Sequence, residues 1–169
     1  LPTLLDRLTD HAPQRRHDTP SEMVVTRKQL RQIVLRDLSW LLNATNAEAD
    51  LPLDDLQHAR RSTLNYGLPA FSGRRVSNVK LSDLEQAIHD AILQFEPRIM
   101  PHTLVVQARA TTDARNADPV HNVVTFEIRG QIWAQPYPVE LLMKSSIDLE
   151  TGLVSLLDQL ETSDGPATA

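Results

Sequence analysis

The sequence predicts an α+β fold: an antiparallel β-meander of three to four strands with two amphipathic helices packed on one face. In the first part of the chain, apolar residues recur at helical spacing, whereas from Leu104 onwards they alternate with polar residues at a period of two. The alternating segments are joined by short, turn-rich connections, which favours antiparallel pairing of consecutive strands. No internal repeat is visible.

The first predicted helix begins at Thr26. Thr26 and Gln29 have the spacing of a capping box, in which each side chain accepts a hydrogen bond from a backbone N–H that the helix itself leaves unpaired. Turn-favouring residues from Asn43 to Asn46 end the helix. One apolar stripe follows the capping box: Leu30, Ile33, Val34, Leu38, Leu41 and Leu42.

The second predicted helix runs from about Asp83 to Glu96, with Ser82 and Glu85 as its capping box. Pro97 ends it, because the proline ring clashes with the preceding turn and supplies no N–H. Its apolar stripe consists of Leu84, Ala87, Ile88, Ala91, Ile92 and Phe95.

Three strands are predicted from the alternating segments, and Leu153 to Leu157 is compatible with either a further short strand or a short helix. The core-facing residues of the three strands are Leu104, Val106, Ala108 and Ala110; Val124, Phe126, Ile128 and Ile132; and Val139, Leu141, Met143, Ile147 and Leu149.

Between the two helices, residues 56 to 64 are compatible with a short helix, and a structured loop follows. Asn65, Tyr66 and Gly67 are the central residues of this loop. Gly67 permits a positive φ, and Pro69 disfavours the helical region for the residue before it. We therefore predict a structural role for the loop, which packs onto the domain and does not act as a linker.

The length of 169 residues fits a single domain. We predict an N-terminal arm over 1–22, with at most one helical turn around Leu4 to Leu8, one α+β domain over 23–161, and a disordered tail over 162–169.

Composition excludes several classes of function. A net charge of −5 argues against general nucleic-acid binding, which needs a broad basic surface. The absence of cysteine excludes thiolate metal sites, and no apolar run is long enough to span a bilayer. The chain does not start with a signal-peptide pattern, so a cytoplasmic location without membrane insertion is expected.

Charge is unevenly distributed along the chain. Arg27, Lys28, Arg31 and Arg36 precede any nearby acid, whereas five acidic residues and no basic residue follow Lys144. Two solvated faces explain this pattern, and so do two docking surfaces of opposite sign.

Candidate chemistry is sparse. The six histidines are scattered without metal-ligand spacing, and no glycine-rich phosphate loop or nucleophile elbow is present, so no metal, cofactor or catalytic residue is predicted. Glycoside hydrolysis requires two facing carboxyl groups, one of them protonated. Arg98 beside Glu96 favours the ionised form, and no second carboxylate stands out, which predicts that the protein is not an enzyme.

The segment Glu96, Pro97 and Arg98 is the most unusual feature. Pro97 fixes the direction in which two opposite charges leave the helix end, and the arginine fork suits carboxylates or helix-end carbonyls. An intramolecular pair that closes the junction of helix and sheet is one interpretation. A contact in which one or both charges reach into a partner chain is the other.

Four motifs in order resemble the TssE family of type VI secretion baseplate subunits, related to a phage baseplate wedge subunit once labelled lysozyme-like. They are Leu4 to Leu8, Arg36 to Asn43, Ser62 to Pro69 and Phe95 to Ile99. The resemblance implies a structural subunit that joins the wedge core to the contractile sheath and templates sheath assembly by strand addition. It also implies that Glu96, Pro97 and Arg98 bind wedge partners.

The partners implied are wedge subunits of TssF and TssG type and sheath subunits, with spike and TssK-type subunits as further candidates. The alternatives are a peptidoglycan hydrolase, as the old label suggests, or a generic protein-interaction adaptor. The sequence does not identify the free strand edge.

Overall fold

The computed structural model describes residues 4–9, 13–14, 25–51, 53, 55–71, 80–109 and 123–159. The helices are α1 (Leu4–Leu8), α2 (Arg27–Asn43), α3 (Gln57–Arg60) and α4 (Leu81–Phe95), and the strands are β1 (Val105–Arg109), β2 (Val123–Ile132), β3 (Val139–Asp148) and β4 (Val154–Asp158). Short 3₁₀ turns lie at Ala47–Ala49, Thr63–Asn65 and Pro101–Thr103.

The strands form a four-stranded antiparallel sheet in the order β1-β2-β3-β4. The predicted meander is therefore confirmed, and the ambiguous segment near Leu153 is a strand. In the register, Ile128 lies opposite both Val106 and Met143, so the apolar residues of neighbouring strands share one face. The α+β class follows, because α2 and α4 contact this sheet and each other.

The core lies between the helices and one face of the sheet. Most of both predicted apolar stripes is buried, although Ile33, Ala87 and Phe95 remain partly exposed. The most deeply buried large side chains are Phe126, Leu38, Leu41, Leu84, Ile88, Ile92, Ile128, Ile132, Leu141, Met143, Ile147 and Leu149.

The capping box of α2 is confirmed. Gln29 N donates to Thr26 Oγ1 at 3.2 Å, and Thr26 N donates to Gln29 Oε1 at 2.9 Å. Both side chains thereby pair backbone groups that the first turn leaves free.

The capping box predicted for α4 is wrong. The helix begins at Leu81, and its N-cap residue Lys80 makes no side-chain cap. The carboxylate of Glu85 instead accepts a hydrogen bond from Ala108 N at 2.6 Å. The Glu85 carboxylate therefore pairs with a backbone N–H of the edge strand β1 and not with a free backbone N–H at the start of α4.

The structured loop is closed against the end of α2. Gly67 has φ +121°, and a Cβ there would lie 2.3 Å from the carbonyl oxygen of Ala44. Directly after it, Leu68 N donates to Ala44 O at 2.8 Å and Leu68 O accepts from Asn46 N at 2.9 Å. Glycine is required here by both the backbone angle and the close approach.

Most of the predicted arm (1–22) and the whole predicted tail (162–169) lie outside the described residues, so the domain division stays a prediction. Within the arm, α1 occupies the position of the helical turn considered from the sequence. None of the described helices has the length and apolar character to cross a membrane.

Candidate functional site

The segment Glu96, Pro97 and Arg98 joins α4 to the sheet. Glu96 N makes the last helical hydrogen bond of α4, and Ile99 N closes a turn onto Glu96 O at 3.2 Å. Trp133 N then donates to Arg98 O at 2.7 Å, which ties the segment to the end of β2. The turn and this backbone bond together hold both charged residues in fixed positions.

Glu96 and Arg98 pair with each other. The Glu96 side chain is 4% exposed, and its Oε1 accepts from Arg98 N at 3.1 Å and from Arg98 Nε at 2.7 Å. Its Oε2 accepts from Arg98 Nη2. Both oxygens of this buried carboxylate are therefore occupied by one arginine.

The pair belongs to a longer chain of alternating charges. Arg98 Nη2 also donates to Asp37 Oδ2 at 2.6 Å, and Arg36 Nη2 donates to Asp37 Oδ1 at 2.7 Å. Arg36 Nη1 in turn donates to Asp6 Oδ1 at 2.7 Å. The five residues, which we call the charge relay, connect α1, α2 and the end of α4.

The relay stabilises its arginines in the charged state. Burial alone would lower the pKa of Arg98, but hydrogen bonds to Glu96 and Asp37 outweigh burial and raise it. The hydrogen bond to Asp6 raises the pKa of Arg36. Both side chains are therefore permanent cations.

An open groove of about 380 Å³ lies beside the relay. Trp40 on its rim is 51% exposed, although the Arg36 guanidinium stacks over its ring at 4.8 Å. Trp40, Tyr66 and Arg98 thus line one accessible groove, and tryptophan, tyrosine and arginine are the residue types enriched at the centres of protein interfaces. The groove is lined by Leu5, Asp37, Leu38, Trp40, Leu41, Tyr66, Phe95, Glu96, Pro97 and Arg98.

One donor of the relay is unmet. Arg98 Nη1 is buried and has no acceptor within the part of the chain that the structure describes. An unpaired buried donor costs free energy comparable to a lost hydrogen bond. The relay is therefore not fully satisfied by the described residues alone.

The structured loop forms another wall of the groove. The rings of Tyr66 and Phe95 meet edge to face, with centroids 5.2 Å apart. Burial raises the pKa of Tyr66, and the charges of Asp37 and Glu96 raise it further. Asn65 is buried and donates to Arg60 O at 3.1 Å, so the loop is fixed on both sides of the tyrosine.

Both edges of the sheet are partly closed by helix side chains. On β4, Val154 N donates to Asn43 Oδ1 and Asn43 Nδ2 donates to Val154 O, each at 2.9 Å. The N–H and C=O of Val154 therefore point away from β3. Because this orientation alternates along a strand, the N–H and C=O of Leu156 also point away from β3. The N–H and C=O of Leu156 make no hydrogen bond to any described residue.

On β1, the N–H of Ala108 points away from β2 and is held by Glu85. Val106 has the same orientation by alternation, and its outward N–H and C=O likewise have no partner in the described ranges. Among the described residues, Leu156 on β4 and Val106 on β1 therefore have backbone groups open to pairing.

The sequence indicated a site at Glu96, Pro97 and Arg98. It did not indicate Asp37 and Trp40, which lie beside this segment, or Asn43, which caps the edge of β4. Asp37 lies 61 residues from Arg98 in the chain, so no local spacing signals their contact. Among the described residues no three histidine or acidic side chains cluster as metal ligands.

The fold is an α+β domain with an accessible groove of aromatic, aliphatic and charged side chains beside the relay. The chain belongs to the baseplate wedge protein gp25 family, whose profile matches residues 28–137. This match is consistent with a baseplate subunit of TssE type, and it includes Asp37, Trp40 and the segment Glu96, Pro97 and Arg98. No curated protein and no solved structure matched the chain.

Proposed function

We propose that the protein is a non-enzymatic, cytoplasmic subunit of a type VI secretion baseplate that joins the wedge core to the contractile sheath and templates sheath assembly. Its wedge role rests on one observation above all. A charge relay borders an accessible groove and holds an arginine donor that has no acceptor among the described residues. Apart from Asp6 of the relay and Leu5 of the groove, the residues of both lie within the region matched by the wedge family.

The wedge contact is assigned to Glu96, Pro97, Arg98 and Trp40. Pro97 and Trp40 are exposed and provide apolar surface, and Glu96 holds the arginine fork in place. A wedge subunit of TssF or TssG type that reaches Arg98 Nη1 would supply an acceptor that the described residues do not provide. A charged pair that is already fixed loses little conformational entropy on binding.

The sheath contact is assigned to the open edge of β4. An added strand would pair with the backbone of Leu156, and the exposed side chains of Leu153 and Leu157 would contact it. Asn43 covers the first residue of the strand, and Arg31 of α2 pairs with Asp158 at its last residue at 3.0 Å, so Leu156 between them is the position left for an added strand. The edge of β1 carries less exposed apolar surface, since Val105 is its exposed aliphatic residue.

A catalytic role for Glu96 is disfavoured by its contacts. A general acid needs a protonated oxygen near the substrate, whereas both oxygens of Glu96 accept hydrogen bonds from a permanent cation. Incubation of the purified protein with peptidoglycan should release no soluble fragments. Release that is lost in Glu96→Gln would overturn the assignment.

The wedge role is tested by co-expression with the TssF-type and TssG-type subunits and recovery of the complex. Trp40→Ala and Arg98→Lys should each reduce the recovered complex severalfold, because one removes apolar contact and the other removes the arginine fork. Leu64→Ala is the matched control, since Leu64 is 75% exposed and lies outside the groove. Equal recovery of all variants, with unchanged thermal melting, would refute the wedge contact.

The sheath role is tested by proline substitutions on the two edges. Leu156→Pro removes an N–H that points away from β3, so the internal ladder survives while an added strand loses a donor. Val106→Pro makes the same change on β1. Sheath assembly in cells should fail with Leu156→Pro and persist with Val106→Pro, provided circular dichroism shows both folded. The opposite result would move the contact to β1.

A further inference from the structure

The face of the sheet that points away from the helices, here called the outer face, carries a central group of cations. In the register, Arg109 on β1 lies opposite Thr125 on β2, and Glu127 lies opposite Lys144 on β3. Arg129 lies two residues beyond Glu127 on β2. Because side chains alternate between the two faces, these charged residues all project from the outer face.

Glu127 lies at the centre of this group. Its Oε2 accepts from Arg109 Nε at 2.8 Å and Nη2 at 2.7 Å, and its Oε1 accepts from Nε and Nη2 of Arg129. The Glu127 side chain is only 9% exposed, whereas those of the two arginines are 49% and 57% exposed. The carboxylate is saturated, and it holds two half-exposed guanidinium groups in fixed orientations.

The arginines keep donors that Glu127 does not use. A guanidinium has five N–H groups, and each two-point contact with the carboxylate engages two of them. Lys144 adds a third cation beside the pair, is exposed, and forms no salt bridge with any described residue. Three cations surround one carboxylate, so the centre of the face is positive on a chain whose net charge is −5.

Aliphatic side chains adjoin these cations. Val105 lies opposite Arg129 and is 43% exposed, and Leu157 lies opposite Lys144 and is 66% exposed. Besides Glu127, the described acidic residues of this face are Asp148 and Glu140, at the two ends of β3. Asp148 there accepts from the backbone of its own turn, and Glu140 lies at the opposite end.

We propose that the outer face docks an acidic, partly apolar segment of a partner protein. Carboxylates of that segment would take the remaining donors of Arg109 and Arg129 and pair with Lys144, while its apolar residues would cover Val105 and Leu157. This surface lies on the opposite side of the sheet from the helices and is separate from the groove at Arg98, so the proposal does not depend on the wedge contact.

A protein segment fits the face better than a nucleic acid does. The described residues of this face include three cations, their centre contains a carboxylate, and acidic residues flank them along β3. A phosphate backbone presents a continuous line of negative charge that would be repelled by these acids. It would also make no apolar contact with the exposed side chains of Val105 and Leu157. A short acidic peptide can place its charges at the centre alone.

The test measures binding of a fluorescein-labelled decaglutamate peptide to the whole protein by fluorescence anisotropy at low and high salt. Wild type should bind at low salt and lose binding at about 0.5 M NaCl, where exposed charges are screened. Lys144→Glu should weaken binding about tenfold, because it replaces an attraction by a repulsion. Lys80→Glu, the matched reversal at the start of α4, should change binding less than about twofold.

Several results would overturn the proposal. They are no peptide binding by wild type, an equal effect of the two reversals, or tighter binding of a labelled decathymidylate than of decaglutamate. Sedimentation of wild type as a dimer at low salt, reversed by Lys144→Glu, would identify a second copy as the occupant and also overturn it. The surface location of Lys144 keeps folding intact, which thermal melting of both variants verifies.

Discussion

Two arginine–carboxylate clusters in this protein use the same chemistry in different surroundings. Glu96 and Glu127 are both buried, and each has both oxygens occupied by arginine. The side chain of Arg98 is only 15% exposed, whereas the arginines that hold Glu127 are about half exposed. The first cluster joins helices to the sheet, and the second covers an open face.

The difference in exposure decides what each cluster contributes. Removal of one partner from a buried charged pair leaves the other charge without compensation, which is costly. At an exposed pair, water replaces the lost partner and the cost is small. We therefore expect the cluster at Glu96 to contribute to folding and assembly together, and the cluster at Glu127 to contribute mainly to binding.

The largest expected effect is the loss of stability in Glu96→Gln, which is compared with the loss in Glu127→Gln. The first change should lower the free energy of unfolding by about 3 kcal/mol, and the second by about 1 kcal/mol or less. Urea denaturation near neutral pH, with unchanged m-values, measures both. Equal losses would show that burial does not distinguish the two clusters.

The structured loop beside the groove provides the next test. Gly67→Ala should lower the free energy of unfolding by about 2 kcal/mol, because its φ is +121° and the added methyl group meets the carbonyl of Ala44. The substitution should also reduce the recovery of wedge complex. Gly130→Ala is the comparison. A Cβ added at Gly130 would lie 3.3 Å from a side-chain methyl group of Ile99 and would meet no backbone carbonyl that closely, so a smaller loss of stability is expected. A fully stable Gly67→Ala protein would contradict the loop geometry.

A smaller effect is expected at the edge of β4. Asn43→Ala should lower the free energy of unfolding by about 1 kcal/mol, because Val154 then loses the amide that pairs its N–H and C=O. Hydrogen exchange at Val154 should accelerate while that of the α2 interior is unchanged. Unchanged exchange at Val154 would show that the asparagine does not close this edge.

The smallest expected effect is a pH dependence at Glu127. Burial alone would raise its pKa, but the hydrogen bonds from Arg109 and Arg129 outweigh burial and hold the pKa below its usual 4.5. A lowered pKa stabilises the fold above pH 4.5, and that stabilisation is lost as pH falls through the folded-state value. The stability difference between wild type and Glu127→Gln should therefore shrink at pH 3 relative to pH 6. A difference that grows on acidification would have the wrong sign.

Much of the fold follows from local patterns in the sequence. The period of two places Val124, Phe126 and Ile128 on the core face, and the box at Thr26 starts α2 where expected. The box predicted at Ser82 failed because Glu85 had a partner on β1, which no local pattern contains. The local prediction was wrong here because a tertiary contact between helix and strand determines the partner of Glu85.

The candidate site was only half predictable, for the same reason. Glu96, Pro97 and Arg98 are adjacent and form a recognisable segment. Asp37 and Asp6 reach the relay only because α1 and α2 pack beside the end of α4. The clamp of Glu127 by two arginines was also missed, since alternation alone assigns this residue to an exposed face.

The central claim is that the groove at Arg98 contacts the wedge core and that this contact is distinct from the outer face of the sheet. The most direct measurement is calorimetric titration of a purified complex of TssF-type and TssG-type subunits with wild type, Arg98→Lys and Lys144→Gln. Arg98→Lys should weaken binding at least about tenfold, because lysine keeps the charge but loses the planar fork, while Lys144→Gln should bind like wild type. Wild-type affinity in Arg98→Lys would contradict the account.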